Sequence, residues 1–119
     1  MFGCALFLLA GAVAGSRCDA QSAEYGACME RAHSSTVQQG MCEMKELTNQ
    51  DARLNKAYQQ LMQQYAGHDD KKTALRTEER SWLKKRDYDC KVDHETVDDS
   101  CVVKKTAERA DELEKQIKF

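Results

Sequence analysis

Four cysteines constrain what this chain can fold into more than any other feature of its sequence. The chain has six cysteines, of which Cys4 and Cys18 lie in the first twenty residues; the other four are Cys28 and Cys42, then Cys90 and Cys101 near the end. The stretch between the pairs is rich in charged and polar residues and contains few large apolar side chains. A small domain with so thin a core needs crosslinks for stability, and the four cysteines therefore predict two disulfides.

The chain begins with an apolar run from Phe2 to Ala14, followed by small and polar residues. This run is too short to cross a bilayer comfortably and has the length of the apolar part of a signal peptide. We expect cleavage after Ala20, which makes residues 1–20 a signal peptide and residues 21–119 the mature domain. A cut after Ala14, a lipid anchor on Cys18 and a retained apolar anchor are the alternatives. Export to the periplasm or the medium favours disulfides, because both are oxidising.

Four cysteines allow three pairings, so their number does not fix the connectivity. Antiparallel helices of the expected length bring Cys42, Cys90 and Cys101 to one end of the domain, with Cys28 nearby. We favour the pairing of neighbours in sequence, Cys28 with Cys42 and Cys90 with Cys101. Each bridge would close a loop of roughly a dozen residues and contribute ~3 kcal/mol to the free energy of unfolding.

The spacing of apolar residues is helical along the whole mature part, and the chain contains no proline. We predict an all-α fold: a small disulfide-stapled helical bundle of three main antiparallel helices, up-down-up, with a short N-terminal helix across one end. The first two predicted helices are 23–32 and about 48–66, the second with a possible extension back to Met41; Thr48, with Asp51 three residues on, resembles a capping box at its start. The third runs from Asp69 or Asp70 to Cys90, and the last is capped by Asp99 or Ser100. Residues 33–40 and 91–100 are predicted to be loops.

Each long helix has an apolar side that should form the core. These sides comprise Leu47, Leu54, Tyr58, Leu61 and Tyr65; then Leu75, Glu79, Trp82, Leu83, Arg86 and Cys90; and finally Val103, Ala107, Ala110, Leu113 and Ile117. Trp82 is expected to fill the space between the helices. Arg86 is expected to pair with Glu79 or Asp51 rather than with Asp87, because adjacent helical positions point in different directions.

The charge and the motifs exclude several classes of function. The net charge is −2 with both signs interleaved, which gives no footprint for nucleic acid or for a membrane surface. Cys90, His94 and Cys101, with His33 or His68, do not have the spacing of a zinc site. The acidic residues after Cys90 lack the spacing of a calcium loop. Since no catalytic motif is present either, we predict no metal, no cofactor and no enzymatic activity.

Three segments resemble the LprI-type lysozyme inhibitor family: "LNKAYQQL", "WLKKRDYDC" and "CVVKKTAERADEL". The residues that carry the resemblance, besides the cysteines, are Leu54, Asn55, Tyr58, Leu61, Trp82, Leu83, Arg86, Asp87, Thr106, Arg109 and Leu113. One departure is Glu79, where the family pattern leads us to expect glutamine. The resemblance implies an exported, all-helical, disulfide-containing domain that inhibits lysozyme.

Two functions follow as hypotheses. The first is a binding protein that occupies the cleft of a lysozyme-type muramidase, with a contact surface at Asp93, His94, Glu95, Asp98 and Asp99, where acidic residues concentrate beside a disulfide. The second is a periplasmic interaction module, an adaptor or small subunit, with no lysozyme target. An exposed apolar strip on one helix would favour the second. The sequence leaves the oligomeric state open.

Overall fold

The computed structural model describes residues 21–119, and the predictions made for the signal peptide lie outside this part of the chain. Four helices form the domain: α1 (Ala23–Ala32), α2 (Thr36–Gln64), α3 (Asp69–Asp89) and α4 (Asp99–Gln116). The only extended pairing between residues 21 and 119 is a single bridge between Lys91 and Val97. The predicted all-α bundle is therefore confirmed. None of the described helices is long and apolar enough to span a membrane.

The start of α2 differs from the prediction. The helix begins at Thr36, where the hydroxyl of Ser35 accepts a hydrogen bond from the Gln38 N–H at 3.3 Å. Thr48 resembled a cap in the sequence, but its hydroxyl donates to the Met44 carbonyl at 3.1 Å, inside an uninterrupted helix. The loop expected at 33–40 is therefore limited to the short connection before Thr36. The observed α2 is about three turns longer at its start than the helix predicted from residue 48.

The caps of α3 and α4 also lie one residue or more earlier than predicted. His68 precedes α3 and provides no side-chain cap, while Asp69 and Asp70 occupy the first turn, where negative charge favours the helix dipole. The carboxylate of Asp98 caps α4 by accepting from the Ser100 N–H at 3.1 Å. Gly67 lies just beyond α2 with φ 83°, a conformation that glycine adopts without strain.

Parallel packing of α2 against α4 forms the centre of the bundle. Ion pairs join Arg53 to Glu114 at 2.7 Å, and farther along Gln64 donates to the Gln116 carbonyl at 3.3 Å, so the two helices run in the same direction. Small buried side chains let their backbones approach closely, and leucines fill the space around them. The buried set comprises Leu54, Ala57, Leu61, Leu75, Val102, Val103, Ala107, Ala110 and Leu113.

The predicted core side of α3 is only partly correct. Leu75 is buried and Trp82 is half-buried against the core, as expected. Leu83 was predicted to share this side, but 41% of it is exposed, because it follows Trp82 and points about 100° away around the helix. With Leu75 and Trp82 as its main apolar contacts, α3 depends more on polar contacts than the other long helices do.

Arg109 supplies the main polar contact between α3 and α4. Its side chain is 8% exposed and donates to Glu79 at 2.9 Å, Glu112 at 3.0 Å and Glu78 at 3.2 Å. Its guanidinium also lies 5.9 Å from the centre of the Trp82 ring. Glu79, which stands where the family pattern has glutamine, thus pairs with a buried arginine. It is the most buried of the three carboxylates that contact Arg109.

The prediction for Arg86 is wrong. Its Nε lies 2.9 Å from the Asp87 carboxylate, and its terminal nitrogen donates to the Thr106 hydroxyl at 3.1 Å. Although adjacent Cβ atoms diverge on a helix, the long arginine side chain reaches its neighbour's carboxylate. The guanidinium lies 5.4 Å from the Trp82 ring, so two arginines contact this ring.

Candidate functional site

Both disulfides lie at the same end of the α2–α4 pair. Cys28 bonds Cys42 and ties α1 to α2, while Cys90 bonds Cys101 and ties the end of α3 to the start of α4. The pairing of sequence neighbours is therefore confirmed. Because Cys90 and Cys101 are bonded to each other, neither is a zinc thiolate. Between residues 21 and 119, no group of three or more His, Cys, Asp or Glu side chains is placed to hold a metal.

Residues 91–98, here called the acidic loop, fold into a closed turn between α3 and α4. The Val92 N–H donates to the Thr96 carbonyl at 2.9 Å, and the Asp98 N–H donates to the Cys90 carbonyl at 2.9 Å. Hydrogen bonds therefore close both the middle of the loop and its base, and the base is also held by the disulfide. The loop is an ordered projection with His94 and Glu95 at its tip.

The five predicted contact residues divide into two groups, although all are exposed. The Asp93 carboxylate accepts from the backbone N–H groups of Glu95 at 2.9 Å and Thr96 at 2.8 Å, and these bonds lower the pKa of Asp93. Asp98 is the cap of α4. Asp93 and Asp98 thus shape the loop, whereas His94, Glu95 and Asp99 present their side chains to solvent. Contact with a partner remains a prediction for all five.

Glu43 on α2 adds a third carboxylate to the base of the acidic loop. Burial raises the pKa of Glu43, and the nearby charges of Asp99 and Asp98 raise it further. Burial likewise raises the pKa of Tyr25 on α1, followed by the charges of Glu43, Glu46 and Asp98. Among the described residues, no ion pair neutralises Glu43, Asp98 or Asp99. Glu43, Asp98 and Asp99 therefore form a small group of carboxylates that repel one another at the base of the acidic loop.

The sequence did not reveal Glu43, because more than fifty residues separate it from Asp98 and Asp99. Glu46 was also missed, although a signal was present: it lies one turn from Cys42 and two turns before Leu54, on the buried side of α2. Its carboxylate is 2% exposed and accepts from the backbone and hydroxyl of Ser22 and from Gln50. Burial tends to raise the pKa of Glu46, but these hydrogen bonds outweigh it, and the pKa is lowered.

Two large exposed side chains flank the disulfide at the base of the acidic loop. Tyr88 lies in the last turn of α3 and is 72% exposed, and Val92 begins the loop and is 62% exposed. Tyrosine is among the residues that most often dominate the energy of a protein interface. The site therefore combines a rigid acidic projection with apolar side chains at its base, an arrangement suited to binding another protein.

These features define a small, disulfide-stapled helical domain that presents an ordered acidic loop. A family model described as "Lysozyme inhibitor LprI" matches residues 28–113, and the chain belongs to this family. The match begins at the first disulfide cysteine and ends at Leu113 in the core, so it covers most of the described bundle. The family is one of inhibitors rather than catalysts. No curated protein and no solved structure matched the chain.

Proposed function

We propose that this protein is an exported inhibitor that binds a lysozyme-type muramidase and blocks its cleft. The family match over residues 28–113 carries this proposal, and the exposed acidic loop supports it. Muramidases of this type act through two carboxylates in a cleft, and many of them are strongly basic. An exposed acidic loop held by a disulfide would complement such a target in charge.

In this mechanism the tip of the loop enters the cleft. His94 and Glu95 approach the substrate-binding groups, while Asp99 and Glu43 face the basic rim and accelerate encounter. Tyr88 and Val92 supply apolar contact beside the loop. Since the disulfide and the loop's own hydrogen bonds already hold its shape, little conformational entropy is lost on binding.

Export is part of the proposal. Residues 1–20 would direct the chain out of the cytoplasm, and cleavage after Ala20 would leave a mature domain that begins just before Ser22. This position is consistent with the fold, because Ser22 caps α1 and donates to Glu46 and so must remain in the mature chain. Amino-terminal sequencing of protein recovered from the periplasm or the medium tests the cleavage site.

The direct test uses the oxidised domain and a panel of c-type, g-type and i-type lysozymes. We expect the protein to slow the lysis of cell walls by at least one of them and to co-elute with that enzyme in size-exclusion chromatography. Co-elution separates binding to the enzyme from protection of the substrate. No inhibition and no co-elution across the panel would refute the proposal.

Charge reversal tests the role of the acidic loop. Glu95→Lys combined with Asp99→Lys should weaken inhibition at least tenfold and reduce its dependence on salt. Glu108→Lys combined with Asp70→Lys is the matched control, because Glu108 is an exposed residue of α4 and Asp70, like Asp99, lies in the first turn of a helix. If both pairs weaken inhibition equally, only net charge matters, and the loop is not the contact surface.

An interaction module of the envelope is the second candidate, and one observation favours it. Val37, Met41 and Met44 on α2 are 73%, 65% and 66% exposed, which gives one helix an uncovered apolar strip. An adaptor or small subunit would use such a strip to hold a partner other than a muramidase. Capture of an envelope protein that depends on these three residues, together with failure to bind any lysozyme, would support this function.

A further inference from the structure

Four cations of α3 lie along one side of the helix, here called the basic ridge: Lys72, Arg76, Arg80 and Lys84. Each is four residues from the next, so consecutive members are neighbours on the helix surface. The last three are exposed, and Lys72 is half-buried. The ridge is about 18 Å long, because each helical residue adds ~1.5 Å.

The carboxylates of α3 do not neutralise the basic ridge. The helix contains six of them, but within residues 21–119 no carboxylate forms an ion pair with a ridge cation. Four of the six bind other cations, and two occupy the first turn of the helix: the four are Glu78, Glu79, Asp87 and Asp89, and the two are Asp69 and Asp70. Charges that alternate in sign along the sequence are therefore separated on the surface of α3, and the negative net charge does not exclude an anionic ligand here.

Helix stability does not account for the basic ridge. Like charges one turn apart destabilise a helix, and the ridge contains three such neighbours in succession. A bound anion would remove this repulsion. Thr73 and Thr77 are exposed beside the ridge, and their hydroxyls are further hydrogen-bond donors for an anion. The surface is therefore suited to a ligand that carries several negative charges.

The shape of the basic ridge favours a linear polymer that carries phosphate. Consecutive cations are separated by about 6 Å along the helix axis. A chain with one phosphodiester per three-carbon repeat presents its charges at a comparable interval. The two central cations are Arg76 and Arg80, and a planar guanidinium binds phosphate through paired hydrogen bonds.

A nucleic acid and a lipid bilayer fit the basic ridge less well. Proteins that bind single strands combine cations with aromatic side chains on which the bases stack. The tryptophan of α3, Trp82, is instead half-buried against the core. A bilayer is a broad surface, and it would also face the carboxylates of a protein whose net charge is −2. Leu83 is the one large apolar side chain exposed on α3 before its last turn, which leaves little apolar area for insertion.

We infer that the basic ridge of α3 binds a linear phosphodiester polymer whose repeat is a short polyol. A slender chain follows the ridge and contacts it alone. This inference goes beyond the proposed function and does not depend on it, because the ridge and the acidic loop are opposite in charge and a basic muramidase would be repelled by the ridge. The polymer holds the protein through α3, and the acidic loop stays free for a different partner.

The first test measures binding of the oxidised protein to fluorescently labelled poly(glycerol phosphate) by anisotropy. We expect binding that weakens roughly tenfold between about 50 and about 200 mM salt, because the polymer releases counterions. Arg80→Gln combined with Lys84→Gln should also weaken binding roughly tenfold. No binding by the natural sequence, or binding that does not respond to salt, would overturn the inference.

Arg31→Gln combined with Lys56→Gln is the matched control. It also removes one arginine and one lysine, both exposed and on other helices, and changes the net charge equally. We expect it to weaken binding less than about twofold, because its cations are not on the ridge. Equal losses in the two variants would mean that only net charge matters, and the ridge would not be the site.

The second test uses the natural sequence, so it does not depend on the folding of a variant. On titration with poly(glycerol phosphate), the NMR amide signals around Arg76 and Arg80 should shift, whereas those around Arg31 and Lys56 should not. Unchanged signals along the ridge at saturation would overturn the inference. Oligothymidylate and phosphatidylglycerol vesicles at equal phosphate concentration should compete weakly for the labelled polymer, and competition as strong as that of unlabelled polymer would overturn the assignment of the ligand.

Discussion

The carboxylate of Glu46 accepts hydrogen bonds from both donors of Ser22, the backbone N–H at 2.7 Å and the hydroxyl at 2.6 Å. The same hydroxyl oxygen accepts from the Tyr25 N–H at 3.1 Å and thereby caps α1. One buried carboxylate on α2 thus fixes the residue just before α1, while the Cys28–Cys42 disulfide fixes the helix nearly two turns further on. The short helix is held at two points, and each point can be tested separately.

Glu46→Gln should destabilise the domain by about 2 kcal/mol, because a hydrogen bond to a charged group contributes roughly 1.5–3 kcal/mol. The amide presents an NH₂ group where two donors of Ser22 require an acceptor. Urea denaturation at neutral pH measures the change in the free energy of unfolding. A stability equal to that of the natural sequence would show that the contact with Ser22 does not contribute to folding.

Glu43→Gln should have the opposite effect, although it is the same substitution three residues earlier on the same helix. The raised pKa of Glu43 means that its ionisation is less favourable in the folded than in the unfolded state. The neutral amide removes the repulsion from Asp98 and Asp99, so the urea midpoint should rise at neutral pH. The gain should vanish under acidic conditions, where Glu43 is protonated in both states. A lower midpoint at neutral pH would contradict this account.

The pH dependence of stability should separate these two glutamates. For Glu46, the lowered pKa means that its stabilisation is present above the ordinary value of 4.5 and is lost as the pH falls through the lowered value. For Glu43, destabilisation begins as the pH rises through 4.5 and is complete above the raised value. Urea midpoints of each Gln variant, measured across this range against the natural sequence, test both signs.

Replacing the second disulfide by Cys90→Ser and Cys101→Ser should cost ~3 kcal/mol and should loosen the acidic loop. The amide protons of Val92 and Asp98 close the loop and should exchange faster with solvent, whereas those in the middle of α2 should stay protected. Cys28→Ser with Cys42→Ser is the matched control and should leave the loop protected. Equal exchange of the loop in both variants would mean that the disulfide does not order it.

Arg109→Ala should cost roughly 3–5 kcal/mol, because it leaves the half-buried Glu79 without its cation. Glu79→Gln alone should cost much less, since Arg109 retains Glu112 and Glu78. If the charge on Glu79 is the cause, adding Glu79→Gln to Arg109→Ala should recover part of the lost free energy. Thermal unfolding of the three variants measures the coupling, and strict additivity would exclude it.

The number and order of the helices and the family could be predicted from the sequence, because both depend on local spacing. The favoured pairing of neighbouring cysteines is also the one in the structure, although the sequence left three pairings open. Apolar periodicity correctly identified Leu54, Leu61 and Leu113 as core residues. The predicted start of α2 was wrong because both Ser35 and Thr48 are possible caps in the sequence. Only the structure shows that the Ser35 hydroxyl accepts from a backbone N–H at the helix start, whereas the Thr48 hydroxyl donates to a carbonyl inside the helix.

The long-range polar contacts were beyond sequence reasoning. Glu43 meets Asp98 and Asp99, and Glu79 meets Arg109, only because α2, α3 and α4 are packed together. Such pairs have no fixed spacing, and many surface carboxylates look equivalent in the sequence. The predicted contact residues are exposed, four of them in the acidic loop and Asp99 in the first turn of α4, and their contact with a partner stays a prediction. The uncovered face of α2 was missed because the start of this helix was assigned to a loop.

Each bridge joins one cysteine to the next cysteine along the described chain. A polypeptide threaded through a translocation channel from its amino terminus would expose Cys28 and Cys42 before Cys90 and Cys101. An oxidase acting on thiols in their order of emergence would therefore produce the native bonds directly. The domain should therefore form its native disulfides even in cells that lack a disulfide isomerase.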